Sequence, residues 1–284
     1  MRMDQVQVDS GRRVLVKFGG NALSGEGDLE RFGQDISSLL SAGFQPVLVH
    51  GGGPEISQEM ERRGLSVKKV SGLRVTDDDA LQVAAEVLSR INAQVVQALT
   101  RAGVGAHGMA GAEKGTVIAQ KMPPVRTEDE SGHEVHVDLG SVGEVSHIDP
   151  TFMEELMGRN TVPVIYPICA DEHGSALNVN ADTVAAHVAR AVGATEMVLV
   201  TDVPGILRGG EGSKEHIPST TLSEIDRLID AGVITGGMVP KVEACRTALL
   251  NGVGTVYMLN GKEPHSLIRR LVDGQDSGTM ITVG

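Results

Sequence analysis

The sequence predicts an α/β protein with a mostly parallel central sheet that helices cover on both faces. Along its 284 residues, short runs rich in β-branched residues alternate with longer runs of helical periodicity, and this alternation is typical of parallel sheets. Glycines cluster directly after several predicted strands. The chain has 36 glycines among 284 residues, about 13% and roughly twice the average usage, so we expect tight turns at strand ends.

The alternation begins with two short strands, at 14–17 and 46–49, each followed by a glycine turn. Between them, 28–42 is predicted to be a helix because apolar residues recur every three or four positions. Gly43 suits the C-terminal cap of this helix. Pro54 suits the first turn of a following helix, where a missing N–H costs nothing.

A long helix is predicted at 77–101, with Thr76 or Asp77 as its N-cap. Its apolar face is a candidate dimer surface, although a core helix would have the same pattern. Residues 115–147 differ from the rest of the chain. Apolar and polar residues alternate there and a Pro-Pro pair interrupts them, which predicts an exposed, mobile polar hairpin.

The second half of the chain resumes the alternation, with a further three strands and three helices. The strands are predicted at 162–168, 197–200 and 253–259. The helices are predicted at 182–192, from the capping box Thr221–Glu224 to Gly232, and at 238–250. Any boundary between two lobes falls near 170–178.

Composition excludes several classes of protein. No run approaches the 18 apolar residues of a membrane span, and the polar segment Met1–Gly11 has no apolar core of a signal peptide, so we expect a cytoplasmic protein. Cys169 and Cys245 form no disulfide framework and no metal-ligand spacing, and we expect both to be buried and inert. The net charge of -12 and the absence of Trp argue against a nucleic-acid surface.

Four elements at strand–helix junctions indicate where an acidic protein binds an anion. They are Val16–Asn21, Val49–Pro54, Asn178–Thr183 and Gly236–Lys241. Glycine turns let backbone N–H groups approach a phosphate, and a helix N-terminus adds a favourable field. The P-loop pattern is absent. No Gly-x-Gly-x-x-Gly fingerprint of dinucleotide folds follows the first predicted strand, which disfavours an NAD-dependent oxidoreductase.

Individual residues in these elements also have ordinary explanations. A glycine pair after a strand is usually a turn, and an Asp at a helix start, such as Asp182, is usually a cap. Lys17 is less ordinary, because a lysine on an apolar strand needs an anionic partner. His50 is expected to be a packed structural residue, and the other histidines weighed are expected at the surface without a metal motif: His133, His136, His147 and His173.

Together the motifs resemble the amino acid kinase family, in family order along the chain. The matching motifs are Lys17–Ala22, His50–Pro54, Gly72–Asp77, Asn178–Asp182, Thr201–Gly205 and Gly236–Glu243. The resemblance implies a three-layer αβα sandwich with an N-terminal lobe (1–175) for the acyl amino acid and dimerisation, and a C-terminal lobe (176–284) for ATP. It is strongest to the branch that phosphorylates the γ-carboxylate of N-acetyl-L-glutamate in arginine biosynthesis, with ATP and Mg²⁺ as cofactors.

The resemblance also implies residue roles. It assigns catalysis to Lys17, Lys241 and Asp182, with the two lysines stabilising the transferred phosphoryl group and the carboxylate holding the lysines. It assigns substrate binding to Gly52, Gly53, Arg74 and Asn178. It assigns nucleotide binding to Gly19, Gly20, Thr201, Asp202, Gly205 and Gly237, with 207–216 also lining the nucleoside site. Since the acceptor carboxylate is ionised at neutral pH, its pKa being about 4.3, no general base is expected.

Alternatives stay open within and outside the family. A kinase for an aminoadipate-type or carrier-protein-linked acid is the nearest, although Leu73-Arg74 favours acetylglutamate. A carrier would need a basic patch, for which the run Arg62, Arg63, Lys68 and Lys69 is the candidate. Isopentenyl phosphate and uridylate kinases share the fold, but their substrate motifs are not evident. A non-catalytic nucleotide or metabolite sensor is disfavoured because both lysines and Asp182 are present.

The expected oligomeric state depends on the segment before the first strand, where the sequence departs from the family pattern. Arginine-inhibited members carry a helix before the first strand that links dimers into a hexamer. Here the dozen residues before Val14 are polar and aperiodic, so a homodimer is expected rather than a hexamer. The segment from Pro264 to Met280 nevertheless resembles the effector region of inhibited members, which leaves arginine sensitivity open.

Overall fold

The computed structural model describes residues 11–23, 25, 27–128, 132–208 and 215–284. Its α-helices are α1 (Asp28–Ser41), α2 (Gly53–Arg62), α3 (Asp78–Arg101), α4 (Thr151–Gly158), α5 (Ala181–Ala191), α6 (Leu222–Asp230), α7 (Met238–Leu250) and α8 (Ser266–Leu271). Its strands are β1 (Arg12–Phe18), β2 (Phe44–His50), β3 (Lys69–Val70), β4 (Leu73–Arg74), β5 (Ala106–Ala110), β6 (Val117–Lys121), β7 (Val125–Glu128), β8 (Glu134–Val137), β9 (Val142–Ile148), β10 (Val162–Tyr166), β11 (Ile168–Ala170), β12 (Ala176–Val179), β13 (Glu196–Thr201), β14 (Leu207–Arg208), β15 (Glu215–His216), β16 (Ser219–Thr221), β17 (Thr255–Asn260) and β18 (Thr279–Thr282).

Eight of these strands form one sheet in the order β16-β18-β17-β13-β1-β2-β10-β5. All its pairings are parallel except that of β17 with β18. The strands of 1–175 occupy one half of the sheet and those of 176–284 the other, and the halves meet where β1 pairs with β13. The division into lobes stays a prediction.

Alternate residues of the central strands face two separate apolar clusters, which makes the molecule three layers thick. On β1, Leu15 belongs to the cluster that contains residues of α4, α5, α6 and α7, whereas Val14 and Val16 belong to the cluster that contains residues of α1, α3 and α8. Met197 and Val198 of β13 divide in the same way. Strands buried on both faces have continuous apolar runs. The predicted α/β fold, a three-layer αβα sandwich, is confirmed.

The region 115–147 is only partly as predicted. β7 and β8 form the expected antiparallel hairpin. However, β6 and β9 pair with each other and close a small barrel with β11 and β12. Val117 and Val142 are therefore buried, and the prediction that the whole region is exposed is wrong.

The apolar face of α3 belongs to the core of the chain. Asp77 is the N-cap, accepting a hydrogen bond from the backbone N–H of Ala80 at 2.8 Å. Val87, Val95 and Leu99 are almost fully buried against the rest of the chain. This face is thus not available as a dimer surface. No helix in the described ranges is long and apolar enough to cross a membrane.

Candidate active site

A cavity of about 490 Å³ lies where β1, β2 and β13 end, at their carboxyl ends. In open α/β sheets ligands bind at this edge. The cavity brings together most of the residues predicted for the site, although they are far apart in the chain. These are Lys17, Gly19, Gly52, Gly53, Arg74, Asn178, Asp182, Thr201, Asp202, Gly237 and Lys241.

One buried carboxylate lies between two lysines at the floor of the cavity. Lys17 Nζ is 2.6 Å from Asp182 Oδ1, and Lys241 Nζ is 4.0 Å from Asp182 Oδ2. Lys17 is 5% exposed and Asp182 8% exposed. The cluster carries one net positive charge, because two ammonium groups share one carboxylate. A buried charge of this kind favours an anionic ligand.

Asp182 is free for this contact because another residue caps α5. The side chain of Asn180 accepts hydrogen bonds from the backbone N–H groups of Asp182 and Thr183, at 2.8 and 3.1 Å. Burial alone would raise the pKa of Asp182, but Lys17 and Lys241 outweigh burial and lower it. The carboxylate is therefore ionised at neutral pH. Burial also lowers the pKa of Lys241, although Asp182 opposes the shift.

Arg74 is a second buried cation of the cavity. It is 8% exposed, and its Nη2 donates to Gly53 O at 2.9 Å and to Ser57 Oγ at 2.7 Å. Among the described residues no carboxylate lies within ion-pair distance of it. Burial lowers the pKa of this guanidinium. An arginine held by neutral acceptors beside an open cavity is suited to bind a carboxylate from outside.

Backbone groups add to the positive character of the cavity. The N-termini of α2, α5 and α7 all reach it, through Gly53, Ala181 and Gly237. Each N-terminus presents unpaired N–H groups and the positive end of a helix dipole. At Gly52, a Cβ would lie 2.7 Å from Ile91 Cδ1, so glycine allows the turn to pack closely on α3. Asn178 donates to Thr76 Oγ1 at 3.3 Å beside these groups.

Two further glycines were predicted to bind the nucleotide. Gly20 begins a short 3-10 helix, between Gly19 and Asn21, which line the cavity. Gly205 does not line it: its φ is +129° and a Cβ there would lie 2.5 Å from Thr279 Oγ1. In the predicted nucleoside segment 207–216, β14 pairs with β15, and the part at 209–214 lies outside the described residues.

Three residues at or beside the cavity had no predicted role in the site. Lys69 lines the cavity and pairs in register with Arg74 across the β3–β4 hairpin. Asn180 caps α5, and Ser57 holds Arg74. The cap had a sequence signal, since Asn180 lies two residues before Asp182, where the predicted helix begins, and Asn is a preferred N-cap residue. Lys69 had none, because it falls in a run of charges that usually belongs to a solvated face.

Other predictions about single residues have clear outcomes. Arg62 and Arg63 form ion pairs with Glu59 and Glu86, so half of the predicted basic patch is neutralised within the chain. Both cysteines are buried, and burial raises the pKa of Cys169 to about 12. The four surface histidines are exposed as predicted. The polar stretch at 1–10 lies outside the described residues.

Comparisons with known proteins agree with this geometry. The sequence model of the amino acid kinase family matches residues 12–260. The chain is 41% identical to acetylglutamate kinase of Methanothrix thermoacetophila over 95% of its length and 92% of the relative. It is 40% identical to acetylglutamate kinase of Desulfitobacterium hafniense, over 97% and 92%. Among solved structures it is similar to smu.665 of Streptococcus mutans UA159, with a TM-score of 0.77 and 30% identity, covering 96% of this chain and 99% of that one. The chain belongs to the amino acid kinase family.

Proposed function

We propose that this protein transfers the γ-phosphoryl group of ATP to the γ-carboxylate of N-acetyl-L-glutamate, giving N-acetyl-L-glutamyl 5-phosphate for arginine biosynthesis. The observation that carries the proposal is the Lys17–Asp182–Lys241 cluster, buried at the cavity that also contains the unpaired cation Arg74. Relatives about 40% identical over nearly the whole chain are named acetylglutamate kinase. Membership of a kinase family implies the use of ATP.

The chemistry requires cations and alignment, and the cavity supplies them. A carboxylate nucleophile needs no deprotonation, but it must approach a phosphoryl group that is also anionic. Lys17 and Lys241 offset that repulsion and the charge that gathers on the equatorial oxygens. Asp182 sets the position of both ammonium groups. The turns at Gly19–Gly20 and Gly52–Gly53 supply backbone donors for phosphate and substrate.

We assign the two substrates to opposite sides of the cavity. Arg74 pairs with the α-carboxylate of the acyl amino acid, which would put the acceptor on the side of 1–175. Asn178, just beyond that boundary, contacts the same molecule. ATP lies on the side of 176–284, against Thr201, Asp202 and Gly237, with Gly205 and 207–216 toward the nucleoside. In support, Thr201 and Asp202 line the same cavity as Arg74, at the end of β13.

Mg²⁺ would enter with the nucleotide. Asp182 is committed to two lysines, and in the ranges that the structure describes no group of three His, Cys, Asp or Glu residues is arranged to hold a metal. Such a donor set fits an ion held mainly by ATP phosphates and water, as is usual for Mg²⁺. Asp202 also lines the cavity, and its carboxylate would contact the ion's water shell. When bound, Mg²⁺ neutralises phosphate charge.

We propose a homodimer as the working form, in the cytoplasm where ATP is supplied. The apolar face of α3 does not carry it, since that face is core. The strand β5 is a better candidate, because it lies at one end of the eight-stranded sheet and, among the described residues, pairs there with β10 alone. Light scattering of the purified protein would distinguish dimer from hexamer.

The test of substrate identity is a hydroxamate assay with ATP and Mg²⁺. N-acetyl-L-glutamate, L-glutamate, N-acetyl-aminoadipate and aspartate are compared at equal concentrations. We expect turnover with N-acetyl-L-glutamate and little with the other three. Turnover of N-acetyl-aminoadipate in its place would support the aminoadipate-type alternative, and binding of ATP without any turnover would support a sensor.

A further inference from the structure

We infer that His50 and Asn92 act as positioning residues that hold the glycine turn Gly51–Gly53 so that the N–H of Gly52 faces the cavity. This inference rests on the proposed function, because it concerns how that site is kept ready for phosphate. Neither residue lines the cavity. His50 is fully buried and Asn92 is 4% exposed, so both act from behind the turn.

The hydrogen bonds permit a single protonation state of the imidazole. Asn92 Nδ2 lies 2.9 Å from Val164 O and 3.0 Å from His50 Nε2. A carbonyl accepts only, so the atom facing Val164 must be the amide nitrogen, and its second hydrogen points at His50. His50 Nε2 must then be the bare nitrogen. His50 Nδ1 carries the proton and donates to Gly51 O at 3.0 Å.

Burial supports the neutral ring. Desolvation lowers the pKa of His50 to about 4, the charge of Lys17 acts in the same direction, and the contact with Gly51 opposes it. The ring also packs between Phe18, at 5.7 Å between centroids, and Tyr166, at 6.3 Å. A proton on Nε2 would point at the amide hydrogens of Asn92.

The bond from His50 has a direct consequence for the next amide. In a trans peptide the C=O and the N–H point in opposite directions. Holding Gly51 O toward the imidazole, on the core side, therefore turns the N–H of Gly52 away from the core. Gly52 lines the cavity, and this N–H donates to no backbone carbonyl of the described residues. It is thus ready for a phosphate or carboxylate oxygen.

A glycine on a neighbouring strand leaves room for Asn92. A Cβ at Gly108 of β5 would lie 1.9 Å from Asn92 Oδ1. Any larger residue there would displace the amide, although Gly108 itself is absent from the cavity lining. The structure thus connects the edge strand β5 to the glycine turn through Asn92 and His50.

The direct test reads the tautomer by ¹⁵N NMR of histidine-labelled protein at pH 7, with His50 assigned by its loss in His50→Asn. We expect the neutral Nδ1–H form. The Nε2–H form or a doubly protonated ring would overturn the inference. No substrate is needed, so a failure of the wild type to phosphorylate N-acetyl-L-glutamate would reject the proposed function and leave this result unaffected.

Kinetics provide the second readout. Asn92→Asp replaces the donor by an acceptor, and we expect kcat to fall roughly 10- to 100-fold while both KM values change less. Gln94→Glu makes the same amide-to-carboxylate change at an exposed position of α3 and should match the wild type. His50→Asn retains a donor near the Nδ1 position and should keep more activity than His50→Gln.

Gly108→Ala keeps the inference testable if Asn92→Asp does not fold. It should lower kcat without touching the cavity. Gly105→Ala is the matched control on the approach to the same strand, because a Cβ there meets its nearest atom at an ordinary 3.4 Å. Wild-type kcat in both Asn92→Asp and Gly108→Ala, or an equal loss in Gly105→Ala, would contradict the positioning role.

Discussion

Buried charges at the cavity are compensated in two different ways. Asp182 has two cations beside it, at 2.6 and 4.0 Å. Arg74 has hydroxyl, carbonyl and thioether acceptors, at 2.7, 2.9 and 3.2 Å. In the first arrangement the carboxylate is already paired with cations. Its one remaining positive charge suits the phosphoryl group, which is present only during transfer. The second lacks an anion and suits the substrate that stays bound.

Replacing Arg74 with lysine should weaken binding of the acyl amino acid. Lysine keeps the charge but loses the planar fork that pairs with a carboxylate. We expect KM for N-acetyl-L-glutamate to rise roughly 10- to 100-fold, the range for a lost hydrogen bond to a charged group, and KM for ATP to stay unchanged. Arg90→Lys, on the exposed side of α3, is the control. An equal rise in KM for ATP would contradict the assignment.

Asp182→Asn should reduce kcat more than it changes either KM. Without the carboxylate the two ammonium groups repel each other and lose their alignment. The expected fall is roughly 100- to 1000-fold, as for removal of a group that positions transition-state charge. Asp226→Asn, at an exposed carboxylate that pairs with Arg246, should behave as wild type. Unchanged kcat in Asp182→Asn would exclude the organising role.

His50 should make stability depend on pH in mildly acidic solution. Its pKa is about 4 in the folded protein, against an ordinary 6.5. Between these values the unfolded chain binds a proton at this residue that the folded protein does not. The contribution of His50 to the free energy of unfolding is therefore largest above pH 6.5 and falls as pH drops toward 4. The loss attributable to this residue reaches about 3 kcal/mol. Urea unfolding at several pH values should show a smaller fall in His50→Asn, whereas His173→Asn, at an exposed histidine, should leave the slope unchanged.

Some charged residues of the site were predictable one by one, but only the family resemblance implied that Asp182 contacts the lysines. Lys17 stood out because a lysine on an apolar strand needs an anion, and Asp182 stood out within its motif. That the two meet at 2.6 Å depends on β1 ending and α5 beginning at the same edge of the sheet, which no local pattern contains. Lys69 was missed for the opposite reason, since its neighbours resemble an ordinary solvated surface.

Helix N-termini form much of the cavity wall, and their caps connect stability to function. Asn180 caps α5 beside Asp182, whereas Thr221 caps α6, accepting from the N–H of Glu224. The two caps use the same kind of hydrogen bond, but Thr221 is absent from the cavity lining. They therefore form a natural matched pair.

Asn180→Ala and Thr221→Ala should each lower the free energy of unfolding by about 1 kcal/mol, the usual value of an N-cap. Only Asn180→Ala should also lower kcat, because the first turn of α5 carries Asp182. Chemical denaturation and steady-state kinetics on both variants check this. Equal activity losses in the two variants would show that stability alone, and not the position of the helix start, sets the rate.

Long elements with strong periodicity were predictable, and short edge elements were not. The strands at 14–17 and 197–200 lie within β1 and β13, and the helix at 77–101 matches α3 with Asp77 as its N-cap. The edge strand β5, with sequence Ala-His-Gly-Met-Ala, contains no β-branched residue and a single buried one, so neither composition nor alternation indicates a strand. The order of the strands in the sheet was not predictable either. β1 pairs with both β2 and β13, and the path of the helices between strands decides which strands become neighbours.

At the scale of the whole molecule, the net charge of the chain and the charge of the cavity have opposite signs. The net charge is -12, yet the cavity contains Lys17, Lys69, Arg74 and Lys241 and the N-termini of three helices. The local field, and not the average surface, acts where the phosphoryl group moves. The sheet holds these groups together, because both halves of the chain contribute strands that end at this edge.

The most direct test of the central claim compares ADP released with acyl phosphate formed. The purified protein is given ATP, Mg²⁺ and N-acetyl-L-glutamate, and the acyl phosphate is trapped with hydroxylamine while ADP is measured in parallel. We predict one hydroxamate per ADP, and no ADP when the acid is omitted. Release of ADP without hydroxamate, or no ADP with this acid present, would contradict the account.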